Sequence, residues 1–172
     1  MRRLMPPSGL RDPDLGEAGL VEAYRVDPPP PGRAHVRAGF VSSADGAAEL
    51  AGHSEGLSGP ADKRVFHLLR GLADVVLVGA GTARREGYGP VRLAAAVQDR
   101  RRAEGQAPLP PLAVVTARLE LDLESALFRQ AAARTVVVTT EAADPGRRRA
   151  AARIADVVVA GDGRVAVEPA LA

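Results

Sequence analysis

Residues 73 to 90 read ADVVLVGAGTARREGYGP, and the fold turns on how that stretch is taken. Asp74 to Val78 is an apolar, β-branched run bounded by glycine, the pattern of a buried strand. Gly79-Ala80-Gly81-Thr82 follows at once, and the polar residues after it can start a helix. A glycine turn at a strand's carboxyl end lets backbone N–H groups converge on an anion without a Cβ in the way. Thr82 adds a hydroxyl that can donate or cap. The stretch therefore has two readings, a structural turn or an anion site, and Arg84 and Arg85 lean towards a phosphate.

Working outward, the chain supplies a setting for such a turn. Its 172 residues suit one well-buried domain. A hydrophobic share of 46% excludes a disordered chain, and 26% charged residues fit an ordinary α/β domain. Net charge is only +2, although the isoelectric point is about 9.6 because Lys63 is the only lysine among many arginines. Acids are interspersed with those arginines, which argues against a nucleic-acid binder. There is no cysteine, so disulfides and thiolate chemistry are excluded. His35, His53 and His67 lack metal-ligand spacing, so no metal site is expected. His67 reads as a satisfied structural histidine and His53 as incidental. No apolar run reaches ~20 residues and the N-terminus lacks a signal-peptide core, so the expectation is a cytoplasmic protein with no membrane partner.

Residues 1 to 33 form a Pro/Gly-rich arm with one short helix. Asp12 would cap it, Pro13 would be its first residue, and Leu20, Val21 and Tyr24 share a face. His35 to Val41 reads as the first core strand, running into the turn Ser42-Ser43-Ala44-Asp45-Gly46. Residues 47 to 58 read as a mobile loop. Pro60 and Asp62 open a helix whose apolar face is Val65, Phe66, Leu68, Leu69 and Leu72. After Pro90 the spacing predicts a helix over 92 to 105 with a basic end. Strands follow at Leu112 to Thr116 and Thr135 to Thr140, with an ambiguous stretch from Leu119 to Phe128 between them. A helix from Pro145 capped by Asp144, a strand at Val157 to Ala160, and an incipient helix at 168 to 171 complete the chain.

Strands alternating with helices imply a three-layer, mostly parallel α/β sheet. Ligands bind beyond the carboxyl ends of such strands. Ser42-Ser43, Thr82, Thr116 and Thr139-Thr140 would bring hydroxyls to those ends and form one polar cleft. Asp62 falls at the same end, where a half-buried carboxylate can hold a substrate amide or amidine edge.

Together SSADG (42–46), GHSEGLSGPAD (52–62), HLLR (67–70), ADVVLVGAGTARREGYGPVR (73–92) and LAVVT (112–116) resemble, in order and spacing, the pyrimidine reductase domain of riboflavin biosynthesis. The match is to its stand-alone, actinobacterial-type members and runs over 34 to 172. The resemblance implies a dihydrofolate reductase-like fold and NADPH-dependent reduction of a pyrimidine ribosylamine phosphate. It implies that Ser42, Thr82 and Glu86 line the cofactor and that Gly79 and Gly81 bring backbone to its pyrophosphate. Thr116 would lie towards the adenosine ribose. Ser54 and Arg92 would be substrate-side residues, and Asp62 the carboxylate that grips the heterocycle. A homodimer is implied as well.

Three features depart from the family's pattern. Gly56 stands where a bulky residue is common, and an acid and Tyr88 replace the D-D-P that often follows the threonine. The strand, E-G-G-P-type turn and further strands that end the family's domain do not follow, so the sheet should lack its C-terminal strands. The expectation is then that this chain alone binds NADPH poorly. A dihydropterin-like substrate, or a catalytically silent nucleotide-binding module, are the alternative readings.

Overall fold

Four short parallel strands stand side by side in chain order, each returning to the sheet through helical connections. The structure is a computed structural model that describes residues 15–166, 168 and 170. Its elements are α1 (Glu17–Tyr24), α2 (Pro60–Leu72), β1 (Val76–Gly79), α3 (Ala80–Arg85) and α4 (Ala95–Ala103). They continue with β2 (Leu112–Val115), α5 (Ala126–Arg129), β3 (Val136–Thr139), α6 (Pro145–Ala152) and β4 (Asp156–Val159). No helix among the described residues is long and apolar enough to cross a membrane.

The register places Val78, Val114, Val137 and Val157 in one row. Side chains alternate along strands, so this row and the Val76–Leu112 pair share a face. That face holds the main core, with Ala80 and Ala83 of α3, Val91, Leu119, Leu127, Phe128, Ala143 and Ala155 packed over it. Each crossover steps to the next strand in the same direction. The opposite face carries Leu77, Val115, Val136 and Val158, and its cover thins towards both edges, where Leu77 is 51% exposed.

Local sequence explains the helices. Pro60 starts α2 and Asp62 sits in its first turn. Asp144 caps α6 by accepting the Arg147 N–H at 2.7 Å, with Pro145 as first residue. Leu20 and Val21 of α1 pack on Leu68 of α2. Glycine caps α1 at Gly16, while the expected cap Asp12 and Pro13 lie outside the described residues, as do Pro169 and Leu171.

Several expectations need correction. His35 to Val41 forms no strand: Phe40 is 93% exposed, and Arg37 donates to the Tyr24 carbonyl at 2.8 Å. A β-prone run becomes a strand only where a neighbour takes its backbone hydrogen bonds, and none does here. The opening strand begins at Val76, and it is half-exposed because it lies at the sheet's edge. The ambiguous stretch contributes one turn of helix, α5, whose Leu127 and Phe128 are buried. Residues 47 to 58 are locally structured, with a bridge between Leu50 and His53 and a 3-10 turn at Glu55–Leu57. The basic end of α4 turns inward: Arg101 is 1% exposed and donates to the carbonyls of Gly71, Ala73 and Ala107.

Candidate functional site

The candidate site begins on α2. Asp62, Phe66 and Arg70 fall four residues apart, so they form one stripe along the helix. Asp62 is half-buried, and its Oδ2 accepts the Ser58 hydroxyl at 2.6 Å, which fixes the carboxylate's orientation. Phe66 turns its ring to the Arg70 guanidinium, whose Cζ lies 4.2 Å from the ring centroid. On its other side Arg70 meets Tyr88 at 5.2 Å. Two aromatic faces thus hold one cation. Its Nε is buried without a hydrogen-bond partner, it forms no ion pair among the described residues, and burial lowers its pKa from the ordinary arginine value. The sequence reading missed Arg70, although its spacing from Asp62 and Phe66 was the signal available.

Tyr88 owes its position to the end of α3. Gly87 adopts φ +61°, the Gly87 N–H reaches the Arg84 carbonyl at 3.4 Å, and the Tyr88 N–H reaches that of Ala83 at 2.9 Å. This is a Schellman cap, in which only glycine takes the left-handed position without strain. One residue earlier, Glu86 closes the helix through its own N–H to the Thr82 carbonyl at 2.9 Å. Its carboxylate turns to the 47–58 loop. Oε1 accepts the Ser54 N–H at 3.1 Å, and Oε2 is 3.9 Å from His53 Nδ1. His53, read as incidental, therefore faces an acid, whereas His67 is exposed against the edge of Phe66 instead of being satisfied within the fold.

The glycine stretch runs straight from strand to helix. Gly79, with φ −71°, caps α3, and Gly81 lies inside it. Neither is left-handed, and a Cβ at either position would meet nothing within 4 Å. The fold itself therefore does not demand glycine at 79 or 81. Both glycines are exposed, and the space beside them is open. Arg84 and Arg85 are engaged elsewhere, Arg84 donating to the Glu120 carbonyl at 2.6 Å and Arg85 standing 3.9 Å from Glu49.

The polar cleft of four hydroxyl-bearing strand ends is overturned. Thr116, Thr139 and Thr140 are buried. Thr116 Oγ1 accepts the Leu119 N–H at 3.0 Å, and Thr140 donates to the Ala117 carbonyl at 3.2 Å. Ser42 is exposed beside a separate tight turn in which Ser43 bonds Ala47. Arg92 is exposed, with no contact tying it to the α2 stripe. Thus Glu86 bonds both Ser54 and the Thr82 carbonyl, and Asp62 bonds Ser58 at the end of the same loop. A separate groove lined by Leu119, Leu121, Leu123, Arg147 and Ala150 shares no residue with this group.

Residues 34–172 match the model of the RibD C-terminal domain. The chain belongs to that family, the reductase domain family of riboflavin biosynthesis. A crystal structure of a pyrimidine reductase-like protein from Corynebacterium diphtheriae is similar at 31% identity and a TM-score of 0.63. The alignment covers 71% of this chain and 53% of that one, so the chain spans about half the length of the solved structure it matches. No curated protein matches the sequence. The all-parallel sheet with its helices is that of a dihydrofolate reductase-like reductase.

Proposed function

We propose that the domain is an NADPH-dependent reductase of a phosphorylated pyrimidine ribosylamine, acting in the cytoplasm as a homodimer. The observation that carries the reading is the α2 stripe, a carboxylate and a cation on one helix face, the cation with no ion pair among the described residues. Asp62 and Arg70 are eight residues apart, roughly 12 Å along a helix. That separation suits a small heterocycle at one end and its phosphate at the other. Asp62, oriented by Ser58, would accept hydrogen bonds from the ring's N–H groups. Arg70 would receive the phosphate, with Tyr88 and Phe66 holding the guanidinium flat.

Gly79, Gly81 and Thr82 would hold the cofactor's phosphates, and when bound NADPH supplies hydride. The chain's own part is to bind both ligands, orient the reacting carbon and exclude water. Thr116 stays on the cofactor side of the proposal through its backbone, because its hydroxyl is committed to Leu119. Ser42, Ser54 and Arg92 remain as proposed contacts from the family resemblance.

Two variants test the two halves separately. Gly81→Ala should leave stability unchanged or higher by about 0.5–1 kcal/mol, since alanine favours helix. It should weaken NADPH binding about tenfold by blocking close approach. Arg70→Met should leave NADPH affinity alone and raise the KM of the phosphorylated pyrimidine by about tenfold or more. Calorimetric titration and NADPH oxidation kinetics read both. Unchanged NADPH affinity in Gly81→Ala removes the cofactor assignment, and unchanged KM in Arg70→Met removes the phosphate assignment.

A further inference from the structure

We infer that Glu86 is a positioning residue, a latch that holds the 47–58 loop and with it Ser54 against the helix following the glycine stretch. Its catalytic meaning rests on the reductase reading above, but its geometry does not.

The loop is organised internally before it touches anything else. Ala51 and Gly52 take φ values of +52° and +83°, the signs of a type I′ turn, and Leu50 and His53 exchange both backbone hydrogen bonds across it at 2.9 and 3.2 Å. Leu50 then folds over Gly56, where an added Cβ would stand 3.1 Å from Leu50 Cδ2. The segment closes with the Glu55–Leu57 turn and the Ser58 hydroxyl on Asp62. Yet no residue from 47 to 58 belongs to either buried core cluster. The loop is a small prefolded flap with little packing to hold it down.

What holds it is a short set of polar ties. Lys63–Glu55 at 3.4 Å and Arg85–Glu49 at 3.9 Å are exposed pairs, and such pairs contribute little. The half-buried ties are Ser58 on Asp62 at the flap's end and Glu86, whose side chain is 19% exposed and accepts a backbone N–H from the flap's centre. A charged acceptor in a half-dry setting makes the stronger bond. Glu86 also joins Thr82 through its own N–H. One residue thus links the helix carrying the open glycines to the loop carrying Ser54. A shift of either side moves the other.

The test is hydrogen exchange on the ligand-free protein, followed at the Ser54 amide and its loop neighbours. Glu86→Ala should speed exchange there by about tenfold or more while the Val114 and Val137 amides stay as protected as before. Glu86→Gln should restore protection, because the amide oxygen accepts the same N–H. His53→Ala should change little, since that side chain is exposed. The latch is overturned if Glu86→Ala leaves Ser54 exchange within roughly twofold of the parent, or if Glu86→Gln is as unprotected as Glu86→Ala. With the phosphorylated pyrimidine as substrate, Glu86→Ala should raise KM more than it lowers kcat, with rescue by Glu86→Gln. Altered exchange in a protein that reduces no pyrimidine would keep the latch and remove the reductase reading.

Discussion

Thr135 and Thr139 flank the buried centre of β3 on the same side as Val137, and their hydroxyls have opposite fates. Thr135 Oγ1 donates to the Leu127 carbonyl at 3.2 Å, tying α5 to the sheet, whereas the Thr139 hydroxyl is buried with no partner among the described residues. A buried hydroxyl without a bond loses water and gains nothing in return. Thr139→Val should therefore leave stability unchanged or raise it by about 1 kcal/mol, while Thr135→Val should lower it by about 1 kcal/mol. Denaturant midpoints for the two variants separate the cases, and equal losses would contradict the assignment of the Thr135 bond. The same residues show where a sequence is hard to read. A threonine at a strand end can face a ligand or bond its own backbone, and the letters do not distinguish these. Asp62 was legible, because proline and an acid at a helix start carry positional meaning. Arg70 was not, since an arginine on a helix face usually reads as a solvated charge until two rings are found beside it.

Among the elements, the pairing of α2 with α4 has the clearest physical basis. At Gly71 an added Cβ would come within 2.9 Å of Val97 Cγ1, so the glycine permits close approach of the two helices. Arg101 then completes the contact. Its guanidinium lies over the carboxyl end of α2, bonded to the Gly71 carbonyl at 3.2 Å and the Ala73 carbonyl at 2.7 Å. There it satisfies orphan carbonyls and meets the negative end of the helix dipole. Burial lowers its pKa, as expected for a charge with carbonyls but no ion pair. Arg101→Met should therefore cost about 2 kcal/mol, read as a lower thermal midpoint, because it unpairs the Ala73 carbonyl and leaves the Gly71 carbonyl to Arg100 alone. A cost near that of an exposed arginine would show that water can replace the guanidinium. Sequence disclosed α4 and its basic end but not that one arginine faces inward, because hydropathy treats every arginine as a surface residue. Helices with proline and acid signals were placed well, as α2 and α6 show. His35 to Val41 was misread because a strand is a property of two segments, and its alternation said nothing about a partner.

At the scale of the whole molecule the sheet is guarded unequally at its two edges. β4 carries Asp156, paired with Arg134 at 2.7 Å, and Ala166 donates to Ala160 just beyond the strand's end. Charge and an adjoining segment make that side a poor template for another strand. β1 has no such protection. It is an outer strand of the described sheet, Val75 and Leu77 are about half exposed, and the β-prone run from His35 to Val41 lies unpaired in the same molecule. An apolar edge strand and an exposed β-prone segment in one molecule favour association between copies. The 172-residue chain should therefore scatter light increasingly as it is concentrated. Leu77→Lys should suppress that rise, since a lysine on an edge strand opposes strand pairing and this side chain is only half buried. Its thermal midpoint should stay near that of the parent, because the Val76, Val78 and Leu112 face of the core is untouched. Scattering that persists unchanged in Leu77→Lys would place the sticky surface elsewhere. A collapse of the midpoint would mean that the outer face of β1 is packed more tightly than its exposure indicates.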